Sequence, residues 1–385
     1  MASTSSSSSS SNSTSKLFQP IKVGRVELAH RIAMAPLTRF RADDEHVPLL
    51  PMVKEYYAQR TAVPGSLVVT EATFISRRAG GYDSAPGIYS AEQIRAWRQV
   101  TDAVHANRSS IFLQLWALGR AANAETLRRD GGHDVVSAGD VPMAADGAAA
   151  VPRPLREDEI AEYVADYARA AANAVHEAGF DGVEIHAANG YLVDQFLQDV
   201  SNNRSDGWGG SVEARARFAL EVTAAVVAAV GADRTAIRLS PWSTFQGMRM
   251  ADPVPQFRYL AERLRPLGLA YVHLVESRPE TGLLPGRTEE LDFFLEAYAD
   301  ASPVLVANGY TADLAREAVD GRYRRWDVVV VFGRHYISTP DLPFRVRQGL
   351  AFNKYERDGF YTPRTERGYT DYPFSEQFRQ IMSKA

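Results

Sequence analysis

Cysteine is absent from the 385 residues. That excludes a disulfide framework, a thiolate nucleophile and every Cys-ligated zinc or iron–sulfur centre. Histidine is sparse, with 8 residues, and no two stand at a compact ligand spacing with a carboxylate partner, so no metal site is expected. No apolar run reaches the roughly 18 residues of a membrane span, and no apolar stretch follows a positive start as in a signal peptide. A cytoplasmic protein with no membrane partner is the expectation. A strong charge imbalance is missing too: the net charge is −4 with the signs mixed along the chain, whereas a nucleic-acid backbone demands a basic face. The first 15 residues hold ten serines and almost nothing apolar. Such a segment cannot offset the entropy of ordering and reads as a disordered tail, leaving a single domain over 16–385.

What is there is ordinary globular material: 45% hydrophobic and 23% charged residues, enough for a sizeable core without metals or disulfides. From Leu17 onward, short runs rich in Val, Ile and Leu alternate with stretches of helical period. Eight runs predict strands over 32–35, 67–71, 111–115, 182–186, 236–239, 271–275, 304–307 and 327–332. Helices are predicted over 91–106, 157–178, 212–230 and 254–264. A doubly wound open sheet uses the same local pattern, and the strand count favours a closed (β/α)8 TIM barrel. Two long irregular segments, 117–154 and 277–288, follow the third and sixth strands, where a barrel builds its active site. Residues 352–385 read as a tail packed on the barrel.

Chemistry-bearing residues gather at the strand ends. Gly182-Val-Glu-Ile-His186-Ala-Ala-Asn189-Gly-Tyr191 carries the richest set. If a helical turn begins there, His186 and Asn189 share a face and could both donate to one carbonyl oxygen. Hydride addition to the β-carbon of an enone puts negative charge on that oxygen, and a preorganised donor is worth roughly 3–4 kcal/mol. Tyr191 is within range to act as general acid; equally, a His followed by Asn-Gly can be only a capped turn. Gly309 after the seventh strand, preceded by Asn308, and Gly333-Arg334 after the eighth either make tight turns or cradle a phosphate. Arg238, inside an apolar strand, needs an anionic partner, which a structural carboxylate or an electron-rich cofactor edge would supply. Gln114 and Thr38 are further polar groups at strand ends, where such residues also serve to satisfy the backbone.

In order along the chain, LFQPIKVGRVELAHRIAMAPLTRF, TEATFIS, GGYDSAPGIYS, FLQLWALGRAA, AGFDGVEIHAANGYLVDQFLQDVSNNRSDGWGGSVEARARF, IRLSP, VANGY, FGRHYISTPDLP and GYTDYP resemble the Old Yellow Enzyme family of flavin ene-reductases. The resemblance runs from about Leu17 to Pro373. It implies a barrel capped by an N-terminal β-hairpin and a non-covalently bound FMN. Thr38 would tune the flavin, Gln114 and Arg238 would contact its pyrimidine edge, and Pro36, Ala72, Asn308, Gly309, Gly333 and Arg334 complete the cofactor positions. His186 and Asn189 would bind the substrate carbonyl, with Tyr191 as proton donor, and Tyr82, Trp116, Phe245 and Tyr361 would line the pocket. Ala72, and Ala307 before Asn308, stand where members of the family also have glycine, so either methyl could crowd the cofactor.

The implied reaction is ping-pong reduction of the C=C bond of an α,β-unsaturated carbonyl or nitro compound by NADPH, with NADH also possible, in a monomer or homodimer. Three alternatives stand beside it: a flavin-dependent reductase or isomerase of a secondary-metabolite pathway, a flavin-free barrel lyase or isomerase of a phosphorylated metabolite, and a flavin-loaded binding protein without turnover.

Overall fold

A computed structural model describes residues 15–143, 150–277, 289–307 and 309–384. The predicted tail up to residue 14, Asn308, and segments 144–149 and 278–288 of the two long loops lie outside the described residues. Ser15, the last residue assigned to the tail, is buried and donates to Asp320 at 2.6 Å.

An antiparallel hairpin, β1 (Ile21–Val23) and β2 (Val26–Leu28), precedes β3 (Ile32–Met34), β4 (Leu67–Phe74) and β5 (Ser110–Trp116). A two-residue parallel pair, β6 (Val136–Ser137) and β7 (Arg153–Pro154), sits in the long loop after β5. Then come β8 (Gly182–Ala187), β9 (Thr235–Leu239), β10 (Tyr271–Val275), β11 (Val304–Ala307) and β12 (Val328–Phe332). β3, β4, β5 and β8 to β12 close into one parallel eight-stranded barrel, with β12 pairing back to β3.

Twelve α-helices are described: α1 (Met52–Arg60), α2 (Ala91–Ala106), α3 (Ala124–Arg129), α4 (Glu157–Ala172), α5 (Leu192–Leu197), α6 (Val212–Val230), α7 (Val254–Leu264), α8 (Asp292–Tyr298), α9 (Ala312–Glu317), α10 (Arg334–Ser338), α11 (Leu342–Gln348) and α12 (Glu376–Met382). Their starts follow local chemistry. Ser90 and Gln93 form a reciprocal capping box on α2, and the Ser211 hydroxyl caps α6, each satisfying N–H groups that the first helical turn leaves open.

All eight predicted barrel strands are present, with ends that move by up to three residues. β4 runs on to Phe74 because its register shifts between Val69 and Ala72, which keeps it paired with β5. The predicted helix over 157–178 is α4 followed by a single π turn, Asn173–Glu177, where the Asn173 amide reaches Ile88 O at 2.9 Å. The loop after β5 is less irregular than expected, since it holds α3 and the β6–β7 pair.

Side chains alternate along β5, β8, β9 and β10. Ile111, Leu113, Leu115, Val183, Ile185, Ile237, Leu239, Val272 and Leu274 face the helices in the outer core. Phe112, Ala236 and Tyr271 point into the barrel, where Ala33, Leu67, Leu305 and Val329 join them and the hairpin residues Ile21, Val23 and Leu28 pack against the same cluster. The inward positions above this apolar plug are Gln114, Glu184, Arg238 and His273, two residues further along β5, β8, β9 and β10 by the period of a strand. The segment after α11 is tied to the barrel by buried guanidinium groups: Arg39 donates to Phe360 O and Gly368 O, and Arg60 to Tyr369 O.

Candidate active site

A cleft of about 1090 Å³ opens above the inward polar layer, at the C-terminal ends of the barrel strands. Every sequence-predicted site residue that lies among the described residues lines it. Pro36 and Thr38 follow β3, Ala72 comes from β4, and Gln114 and Trp116 from β5. His186 comes from β8, Asn189 and Tyr191 from the turn after it, Arg238 from β9, and Gly309, Gly333 and Arg334 from the ends of β11 and β12. Tyr82, Phe245 and Tyr361 complete the set, the last two 60% and 59% exposed at the mouth.

The turn after β8 is built differently from the helical turn anticipated for it. Asn189 has φ +58 and Tyr191 is the N-cap of α5, which begins only at Leu192, so no helix face joins His186 to Asn189. The two meet instead because a strand end and a left-handed residue, which Asn tolerates, bring them to one wall. Side chains from α5 and from just after β9 hold this turn. Gly190 N donates to Asp194 Oδ2 at 2.9 Å, Gln195 Nε2 donates to Gly190 O at 2.7 Å, and Asn189 N donates to Ser240 Oγ at 2.7 Å.

Aromatic rings wall the substrate side. Tyr191 stands edge-on to Trp116 at 4.9 Å and to His186 at 4.8 Å between ring centroids. Trp116 stacks on Phe74 at 5.1 Å, and Tyr82 and Phe40 continue the wall toward Tyr361.

The electrostatics assign protonation states. Burial, then Tyr82, pushes the Tyr191 hydroxyl above its ordinary range, so it keeps its proton at neutral pH. Burial, then the charge of Arg238, holds His186 well below the ordinary imidazole value. His186 is therefore a neutral ring with one N–H to donate, and its Nδ1 is buried with no partner.

The polar layer under the cleft holds residues that sequence reasoning passed over. Glu184, fully buried, accepts from Gln114 Nε2 at 2.7 Å, Tyr271 Oη at 3.0 Å and His273 Nδ1 at 2.9 Å. Burial pushes its carboxyl up, and His273, Arg238 and Gln114 bring it back below the ordinary value. The Arg238 alternatives thus meet in one place: Glu184 is a structural carboxylate for its charge, and the guanidinium also lines the cleft. The signal was legible: like Arg238 in IRL, Glu184 in VEI and His273 in VHL are ionisable residues inside apolar strands.

These features fit a flat, partly polar cofactor with a phosphate. The cleft is at the upper end of the roughly 300–1,000 Å³ of ligand sites. At Gly309, with φ +66, a Cβ would come to 3.4 Å from Arg334 Nη2, so glycine keeps backbone and guanidinium open to one anion. Arg334 is steadied by Tyr355, whose hydroxyl accepts from Nη1 at 3.2 Å. Ala72 and Ala307 both line the cleft with their methyls.

Residues 16–353 match the NADH:flavin oxidoreductase / NADH oxidase family. The chain is 61% identical to chanoclavine-I aldehyde reductase fgaOx3 of Penicillium roqueforti, over 96% of this chain and 100% of that one. It is 53% identical to the NADP-dependent oxidoreductase lnbE of Aspergillus flavus, over 94% and 97% of the two chains. It is also 51% identical to a protein of Claviceps fusiformis named "Probable inactive dehydrogenase easA", over 95% and 96%. Among solved structures, an Old Yellow Enzyme from Pichia sp. AKU4542 superposes with a TM-score of 0.86 at 35% identity, covering 94% of each chain.

Proposed function

The chain belongs to the NADH:flavin oxidoreductase / NADH oxidase family, the Old Yellow Enzymes, and is an NAD(P)H-dependent flavin oxidoreductase; from that premise we propose that it is an ene-reductase that uses NADPH to saturate the C=C bond of α,β-unsaturated carbonyl compounds. The observation that carries this reading is the convergence of His186, Asn189 and Tyr191 on the same cleft as Thr38, Gln114, Arg238, Gly309 and Arg334. NADPH rather than NADH is favoured by the name of the 53% identical NADP-dependent relative.

FMN, when bound, would supply the redox chemistry that carries reducing equivalents from the nicotinamide to the substrate. The chain supplies position, charge and a proton. Gly309, Gly333 and Arg334 would hold the cofactor's phosphate, Gln114 and Arg238 would bind its pyrimidine edge, and Thr38 would tune it. His186 and Asn189 donate to the substrate carbonyl oxygen, where negative charge grows as the β-carbon is reduced, and stabilise it most when that charge is greatest. Tyr191 holds its proton at Oη and delivers it to the α-carbon. One cleft serves nicotinamide and substrate in turn, which makes the kinetics ping-pong.

The narrower reading, service in a secondary-metabolite pathway on an unsaturated aldehyde, is favoured by the 61% identical relative named for action on chanoclavine-I aldehyde. The retained donor pair and acid speak against a protein without turnover. The test is an absorbance spectrum of the purified protein followed by NADPH oxidation with enals, enones, maleimides and nitroalkenes. A yellow protein that turns over enals or enones is expected. A colourless protein not stabilised by FMN would favour the flavin-free lyase, and a yellow one inert to every acceptor would favour a binding protein.

A further inference from the structure

We infer that Glu184, which does not reach the cleft, is a positioning residue that sets both the orientation of Gln114 and the redox potential of the flavin bound above it. The inference rests on the reading that FMN occupies the cleft. It starts from the barrel's second inward layer, in which Glu184, His273 and Gln114 are at most 1% exposed. Strand register brings these residues together: Gln114 lies opposite Glu184 across β5 and β8, and His273 opposite Arg238 across β10 and β9.

A carboxylate only accepts hydrogen bonds. The 2.7 Å contact from Gln114 to Glu184 therefore fixes which end of the amide points down: Nε2 turns into the barrel, and Oε1 is left for the cleft that Gln114 lines. An upward carbonyl oxygen is the complement of an imide N–H, the donor at the pyrimidine edge of an isoalloxazine. The amide is further fixed from behind, because Gln114 N donates to Thr70 Oγ1 at 3.1 Å where the β4 register shifts.

The carboxylate also carries charge. Tyr271 and His273 hold it through Oε2, and His273 Nε2 is buried with no partner. That is the pattern of a neutral imidazole donating through Nδ1. With His273 neutral, Glu184 is the anion that offsets Arg238. Flavin reduction adds negative charge above Arg238, so the layer beneath decides how strongly that charge is welcomed. Removing the Glu184 charge leaves Arg238 less compensated and favours the reduced flavin.

The test compares FMN-loaded wild type with Glu184→Gln, Glu184→Asp and Tyr271→Phe, reading the two-electron midpoint potential of the bound flavin and its dissociation constant. Glu184→Gln keeps size and removes charge. It is expected to favour reduced over oxidised FMN by about tenfold, a rise of about 30 mV for a two-electron couple, and to weaken oxidised FMN as Gln114 becomes free to flip. Glu184→Asp keeps the charge and should stay within about twofold of wild type. Tyr271→Phe removes one donor from the carboxylate, leaves it less neutralised, and should move the ratio the other way by two- to threefold. An unmoved or lowered potential in Glu184→Gln, or an equal rise in Glu184→Asp, overturns the assignment. Should Glu184→Gln fail to fold, an unmoved potential in Tyr271→Phe does the same. Wild-type protein that binds no FMN would instead refute the functional reading on which the inference stands.

Discussion

Gly119→Ala is a substitution whose cost the structure resolves into parts. Gly119 has φ +60, and an L-residue in that left-handed region costs roughly 1–2 kcal/mol. The added Cβ would also come to 2.7 Å from Gln195 Cδ and Nε2 and closer still to Oε1, so this fully buried amide must leave its place. From that place Gln195 accepts from Arg120 N at 3.1 Å and Ser137 Oγ at 2.8 Å, and donates to Leu118 O at 3.0 Å and Gly190 O at 2.7 Å. A buried group left without its partner costs about 1–3 kcal/mol. Losing one or two of the four adds roughly 2–4 kcal/mol, for a total of about 3–6 kcal/mol, a large share of the roughly 5–15 kcal/mol that holds a typical protein folded. Gly132→Ala is the internal control. Gly132 has φ +72 but nothing within 4 Å of the position a Cβ would take, so only the backbone part, about 1–2 kcal/mol, is expected. Denaturant unfolding of wild type and both variants, each saturated with FMN so that the ligand term is shared, measures the difference. Equal midpoints for the two alanine variants, with unchanged slopes, would refute the hub role of Gln195. A second readout follows from Gly190, whose carbonyl helps hold the Tyr191 turn: Gly119→Ala should slow enone turnover more than flavin reduction by NADPH.

Tyr191→Phe should slow enone turnover by about 10²- to 10⁴-fold while leaving flavin reduction by NADPH nearly untouched; stopped-flow measurement of both half-reactions decides, and equal slowing would contradict the acid role. Replacing His186 and Asn189 together by alanine should weaken phenol-type ligands at least about tenfold, since a hydrogen bond to a charged group is worth roughly 1.5–3 kcal/mol, and an unchanged titration of the bound protein's spectrum would remove them as anion donors. Burial raises Asp194 from 3.8 to about 7. Because the folded state then binds the extra proton, Asp194's contribution to stability is full below 3.8 and is lost as pH rises through about 7. Glu71, also raised to about 7 by burial, acts in the same direction. Buried histidines held below their ordinary value, among them His186 and His30, act the other way, so the test is the difference between wild type and Asp194→Asn: in thermal unfolding between about pH 5 and 8 the wild type should lose stability relative to the variant as pH rises, and a constant difference would show that Asp194 does not titrate there.

The barrel was legible because buried parallel strands write themselves as unbroken Val, Ile and Leu runs, and all eight could be found from that alone. Several shorter helices, such as α5, α10 and α12, were not, because five to seven residues give fewer than two turns of period and their positions are decided by tertiary contacts. The site residues stood out where a polar group ended an apolar run, as at His186 and Arg238. The backbone that presents them was harder to see. The Asn-Gly pair in AANGY is open to a left-handed turn as well as to a helical one, and what selects φ +58 at Asn189 is contact with Asp194, Gln195 and Ser240, which lie later in the chain.

The stacking order inside the barrel explains why charge can sit under the cleft at all. Below lies an apolar plug of Phe112, Tyr271, Leu305 and Val329, backed by the hairpin residues Ile21 and Val23. An isolated charge placed against that plug would cost several kcal/mol. Glu184 is tolerated because three donors, Gln114 from β5 and Tyr271 and His273 from β10, meet it, and because Arg238 on the neighbouring β9 carries the opposite sign. Each of those donors is rigidly built into a strand, so none has to reorganise when charge appears above. A layer of fixed dipoles that costs little to keep in place responds to a change of charge by its prior orientation rather than by movement, which is the condition under which buried polar groups contribute most to a reaction. Tyr271 belongs to both levels, its ring in the apolar plug and its hydroxyl on the carboxylate, so the plug that closes the barrel also orients the layer that faces the cleft.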